Sequence, residues 1–159
     1  MEIPLSLLAD LNSCDYLYFR EISEPADNRL RLLIEEASAA PQLTSIEVAS
    51  VEFSDLRAIE STDESRLFEI TWDSYIAYSV RNESFTVLDE YETIECGKLA
   101  CVYSKSRFLD YISNATFASN DHSGPFRHVG LNCLNHIIDV ISTNAPQVRQ
   151  LRNLHSFIN

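Results

Sequence analysis

An α+β domain built mainly from antiparallel sheet is the architecture to which three features of the sequence point. Short apolar–polar alternations recur along the chain, separated by turn chemistry, as half-buried strands require. These stretches follow one another directly, where a parallel βαβ arrangement would interpose helices. Helical spacing is clearest at the N-terminus, in a segment after residue 103 and in the C-terminal tail. The expectation is a single acidic domain over residues 1–159, with about six to eight mostly antiparallel strands in consecutive hairpins and two or three helices. A chain of this length buries about 68–70% of its unfolded surface, so it folds without a metal or disulfide.

The elements follow in order. Residues 3–12 fit one short helix with Leu5, Leu8 and Ala9 on one side. Tyr16 to Ile22 is rich in aromatics and reads as a strand. Glu24-Pro25-Ala26-Asp27-Asn28 is turn chemistry. Leu30, Leu32 and Ile34 then alternate against Arg29 and Arg31, which favours a strand paired to the first, although Leu33 also fits a helix. Pro41 closes that segment. A strand is expected over 44–53, with a bulge where the phase breaks between Val48 and Val51. Residues 60–66 are a polar loop.

Phe68, Ile70 and Trp72, then Ile76, Tyr78 and Val80, predict a hairpin about Asp73-Ser74. Phe85 to Leu88 reads as a further strand. Ile94 to Cys96 and Leu99 to Tyr103 flank Gly97-Lys98, a two-residue type II′ hairpin loop. In that pairing Cys96 and Cys101 share a face diagonally, which is poor geometry for a disulfide. Residues 104–118 fit a helix capped by Ser104 or Ser106. Residues 120–125 are a loop. Phe126 to Ser142 fits both periods, and the β-branched run at Ile137-Ile138-Asp139-Val140-Ile141 favours strand. The tail over 147–158 reads as a final helical turn or two.

Twelve basic residues against 24 acidic ones give a net charge of −12. Residues 1–100 hold 21 acids and 7 bases, whereas 101–159 hold 3 acids and 5 bases. The densest part is 47–95, with 13 acids against Arg57, Arg66 and Arg81. Such a chain repels a phosphate backbone, so direct nucleic-acid binding is not expected. An acidic face keeps a protein soluble, and it also steers a basic partner. The candidate partner-binding residues are Asp63, Glu64, Tyr75, Asp89, Glu90, Tyr91, Glu92 and Glu95, the aromatics serving as anchors.

No run approaches 18 apolar residues, so no transmembrane helix is expected. The N-terminus, with Glu2 and Asp10 about a short apolar run, lacks the pattern of a secretory signal, and a cytoplasmic location is expected. Cys14, Cys96, Cys101 and Cys133 form no CxxC pair and read as reduced thiols. His122, His128, Cys133 and His136 match no zinc spacing, so neither metal nor cofactor is called for. No GxSxG, HExxH or GxxxxGK[ST] motif occurs, and no catalytic residue is assigned. His128 and His136 share a face with Asn132 if they lie on one strand, and an enzymatic or ligand-binding surface there, or an aromatic pocket, is the alternative.

Three segments carry a resemblance: Phe68 to Ser84, Tyr103 to Tyr111, and Gly124 to His128 running on to Asn135–Ser142. Together they resemble a group of small uncharacterised bacterial proteins. In size and acidity the chain is similar in kind to immunity proteins of contact-dependent and other toxin delivery systems. That resemblance implies a non-enzymatic immunity protein or antitoxin, whose partner is a basic, nuclease-like toxin domain. It assigns no residue a role.

Overall fold

The computed structural model describes residues 5–151. Among them are twelve strands, two α-helices and one 3-10 turn, every strand pairing being antiparallel. The α+β, mostly antiparallel expectation therefore holds, but the strands outnumber it. Helix α1 (Leu5–Asn12) leads into β1 (Tyr16–Ala26) and β2 (Arg29–Ala39), which pair as a hairpin. Then come β3 (Thr44–Val48), β4 (Val51–Leu56), β5 (Ile59–Glu60), β6 (Leu67–Trp72) and β7 (Ala77–Asn82). A 3-10 turn (Glu83–Phe85) precedes β8 (Thr93–Cys96), β9 (Ala100–Lys105) and α2 (Arg107–Ala115). Strands β10 (Arg127–Asn132), β11 (His136–Ser142) and β12 (Gln147–Leu151) complete the described chain.

Two five-stranded sheets pack across one core. The first has the order β1-β2-β6-β12, with β5 beside the end of β2, and the second the order β7-β11-β10-β9-β8. The alternation decides which side chains meet. Leu30, Leu32 and Ile34 with Phe68, Ile70 and Trp72 point from the first sheet onto Ala100, Val102, Val129, Leu131, Ile138 and Val140 of the second. Burying each of the larger ones contributes about 1.5–3 kcal/mol. Leu8 and Leu11 of α1 join this core. A bulge between Phe19 and Glu21 shifts the phase of β1 by one, so that Leu17, Phe19 and Ile22 all reach the core.

Several expectations need correction. The phase break at Val48/Val51 is a turn between two strands, with Ala49 (φ 49°) and Ser50 (φ 66°) both left-handed as a type I′ hairpin demands. Strands β6 and β7 do not pair: β6 lies between β2 and β12, while β7 pairs with β11. Residues 73–76 carry the chain from one sheet to the other, held by Ile76 N–H donating to Ile141 O at 2.7 Å and Ser142 Oγ donating to Ser74 O at 2.6 Å. Alternation states that a strand has a buried face; it does not name its neighbour. Thr86 to Leu88 form no strand. Their backbone lies along neither sheet, and Val87 and Leu88 are 83% and 98% exposed.

The β8–β9 turn takes three residues, 97–99, and Cys96 stands opposite Val102. Cys96 therefore packs toward the core while Cys101 points to the other face, and both are free thiols. Gly97 adopts φ +89°, and a Cβ there would lie 1.9 Å from Ala100 O, so only glycine fits. The segment 126–142 is a hairpin of two strands, reversed at 133–135. The tail over 147–151 is a strand, not a helix, because β6 has a free edge that it completes; residues 152–158 lie outside the described residues. No described helix is long and apolar enough to cross a membrane.

Candidate functional site

The outer face of the second sheet is where polar chemistry is buried. Helix α2 covers it, capped by Ser106, whose Oγ accepts the Leu109 N–H at 3.0 Å. The same Oγ lies 2.8 Å from His128 Nδ1, and His128 Nε2 lies 2.9 Å from Asp139 Oδ1. Ser106 Oγ and Asp139 Oδ1 thus engage both ring nitrogens of His128. Tyr103 stacks on the imidazole at 4.4 Å and Phe108 meets it edge-on at 5.7 Å. Asp139 also faces Arg81 at 3.4 Å and Ser79 Oγ at 3.4 Å. All three linked residues are at most 2% exposed. This serine–histidine–aspartate chain fastens α2 to the sheet, and its hydroxyl is closed to any substrate outside.

His136 does not join it. The reversal at 133–135 puts His136 on the core-facing side with Val129 and Val140, where it meets Phe19 edge-on at 5.1 Å. His128 faces α2 instead, so the two histidines form no common surface.

What α2 positions at its N-terminus is a strap, residues 86–92. Arg107 Nε donates to Asp89 Oδ2 at 2.9 Å, and Tyr91 OH donates to the Asp110 carboxylate. Lys105 Nζ and the Arg107 guanidinium lie 3.8 and 4.0 Å from the Tyr91 ring centre. The bond from Arg107 holds the Asp89 carboxyl below its usual range, and the bond to Asp110 pushes the Tyr91 phenol up. At the strap's start, Asn82 caps the 3-10 turn by accepting Ser84 N–H at 3.0 Å.

The strap and the second sheet line a cavity of about 500 Å³. Its walls include Leu17, Leu99, Tyr103, Leu134 and Ile137; Glu83, Asp89, Glu90 and Glu92 line it as well. Asp89 pairs with Arg107 and Glu95 lies 4.0 Å from Arg127. Glu83, Glu90 and Glu92 pair with no cation among the described residues. Beside these acids Phe85, Val87 and Leu88 are 82%, 83% and 98% exposed.

Of the expected partner-binding residues, the structure brings Asp89, Glu90, Tyr91 and Glu92 together on the strap, with Glu95 following on β8. Asp89 and Tyr91 are committed to α2 and hold the strap, leaving Glu90 and Glu92 as the available charges. Asp63 and Glu64 sit in the loop before β6, where Glu64 N–H donates to Thr62 Oγ1. Tyr75 lies near Tyr78, both hydroxyls donating to Glu24 at 2.8 and 3.0 Å, which pushes the Tyr75 phenol up to about 12. Sequence reasoning missed Phe85, Val87 and Leu88 as surface groups, since nothing in a short apolar run tells a strand from an exposed strap.

Two asparagines were also missed. Asn12 Oδ1 accepts Lys98 N–H and Leu99 N–H at 2.8 and 2.9 Å, fastening α1 to the β8–β9 turn. Asn135 pairs with both Phe19 N–H and Phe19 O, at 3.0 and 2.9 Å, fastening the β10–β11 turn to β1 at its bulge. Each positions one wall of the cavity. Comparison with protein-family models, with curated proteins and with solved structures finds no match to this chain.

Proposed function

We propose that this chain is a non-enzymatic binding protein of the immunity or antitoxin type, which neutralises a basic, nuclease-like toxin domain by direct contact. One observation carries the reading: Phe85, Val87 and Leu88 stand exposed beside Glu83, Glu90 and Glu92, acids that pair with no cation among the described residues. Apolar anchors ringed by unpaired charge are what a desolvated contact with a cationic surface uses. The acids steer encounter and the anchors slow release. Carboxylates held against the partner's Lys and Arg keep those side chains from phosphates.

The test is recovery of the partner from host lysate at low salt, followed by association kinetics with the purified pair. The triple variant Glu83→Lys, Glu90→Lys, Glu92→Lys is expected to slow association by at least about tenfold and to flatten its salt dependence. Unchanged rate and unchanged salt slope would place the contact elsewhere.

The cavity favours a second reading, a small-ligand site, since its volume falls within the roughly 300–1,000 Å³ of such pockets. Its mixture of apolar wall and carboxylates suits an amphipathic cation. Thermal stabilisation by such compounds, lost in Leu99→Glu, is the expected sign.

A further inference from the structure

The hairpin β3–β4 is an arm with no buried face. Every residue from Thr44 to Asp55 is exposed. Ile46 stands opposite Phe53 and Val48 opposite Val51, so four apolar side chains share one side, and Leu43 precedes them. These five are 48–57% exposed. On the other side Glu47 stands directly opposite Glu52, a like-charge pair that weakens a sheet. The tip places Ala49 and Ser50 in the left-handed region, which such turns normally fill with Asn or Gly. A lone two-stranded hairpin is marginal in water. Three unfavourable local features and an uncovered apolar side are what a docking element carries.

We propose that the β3–β4 arm inserts into an apolar cleft bordered by Lys and Arg on a basic protein partner. Charge complementarity chooses the occupant. Residues 44–56 hold Glu47, Glu52 and Asp55 and no base. Arg57, at the root, is turned back to donate to Ala40 O and Pro41 O at 2.9 and 2.6 Å. A cation against Glu47 and Glu52 relieves their repulsion. A second copy would set acid against acid between chains of net charge −12. Five residues at about 3.4 Å each give an arm about 17 Å long. The inference rests on the partner being a basic protein, and its contact is separate from the strap.

The test uses a benzoylphenylalanine photo-crosslinker at Val51 in one preparation and at Leu88 in another. Both positions are exposed, and unchanged melting confirms that the fold is retained. Each preparation is irradiated in host lysate at low salt, and the joined peptides are sequenced by mass spectrometry. The expected result at position 51 is one basic protein, joined within an apolar stretch flanked by Lys or Arg. Glu47→Lys with Glu52→Lys should cut that yield by at least about tenfold. Joining to another copy, or to a protein that is not basic, overturns the proposal. Joining from position 88 but not 51 overturns the arm and leaves the strap. Joining from 51 but not 88 does the reverse. Silence from both positions overturns both.

Discussion

Replacing Ser106 by alanine removes two hydrogen bonds from one buried oxygen. The cap on α2 is lost, since Ser106 Oγ accepts Leu109 N–H at 3.0 Å. Such a loss costs about 1 kcal/mol. His128 Nδ1, 2.8 Å away and buried, loses its partner too. Leaving a buried polar group unsatisfied costs about 1–3 kcal/mol. The sum is about 2–4 kcal/mol, or roughly 6–12 °C in Tm for a loss of about 3 kcal/mol in a chain of this size. Ser104→Ala is the matched control: its Oγ is exposed and makes one long bond, 3.3 Å to Thr93 O. It should stay within about 0.5 kcal/mol of the parent. Trp72, the single tryptophan and fully buried, reports urea unfolding by fluorescence. Because α2 carries Arg107 and Asp110, amide exchange in 86–92 should also rise in the Ser106 variant. A loss under about 0.5 kcal/mol, or equal losses for both serines, would refute the assignment of Ser106 as the joint between helix and sheet.

Further outcomes follow from single contacts. Gly130→Ala puts a Cβ 2.8 Å from Tyr103 Cε2 and 3.4 Å from Asp139 Oδ1, so the ring stacked on His128 must shift. Urea unfolding should show a loss of about 1–3 kcal/mol, and a neutral result would mean that the ring shifts freely. Glu36 is held below the usual carboxylate range by Arg66, which bonds both of its oxygens at 2.8 Å. Its contribution is present above the ordinary carboxylate value and lost as pH falls through the depressed folded one. Acid melting of Glu36→Gln should therefore be flatter than that of the parent, and parallel curves would contradict the linkage. Burial pushes the Cys133 thiol up to about 12 and the Cys14 and Cys101 thiols up to about 11. At pH about 8, half-buried Cys96 should react with a disulfide reagent first and the others only on unfolding; equal native rates would show that burial does not protect them.

The strands themselves were largely legible. Leu30, Leu32 and Ile34 alternate because one face of β2 is dry, and no fold detail is needed to see it. The β1–β2 and β8–β9 hairpins were readable from Asp27-Asn28 and Gly97-Lys98, since turn chemistry is local. The failures share a cause. The pairing of β6 with β12 and the bare strap at 86–88 depend on which residues distant in sequence offer a free edge. The candidate site was half legible. The acids of 89–95 were found by composition, but the division between Asp89, tied to Arg107, and Glu90, left unpaired, depends on where α2 starts.

By itself the sequence determined the strand-rich class, the core faces and the excess of acid, because each follows from periodicity or composition. Tertiary structure decided the rest. It joined Ser106, His128 and Asp139 across α2, β10 and β11, drew the strap onto Lys105 and Arg107, and left the β3–β4 arm uncovered. These are matters of register and packing between distant segments, where the free energy depends on which surfaces meet.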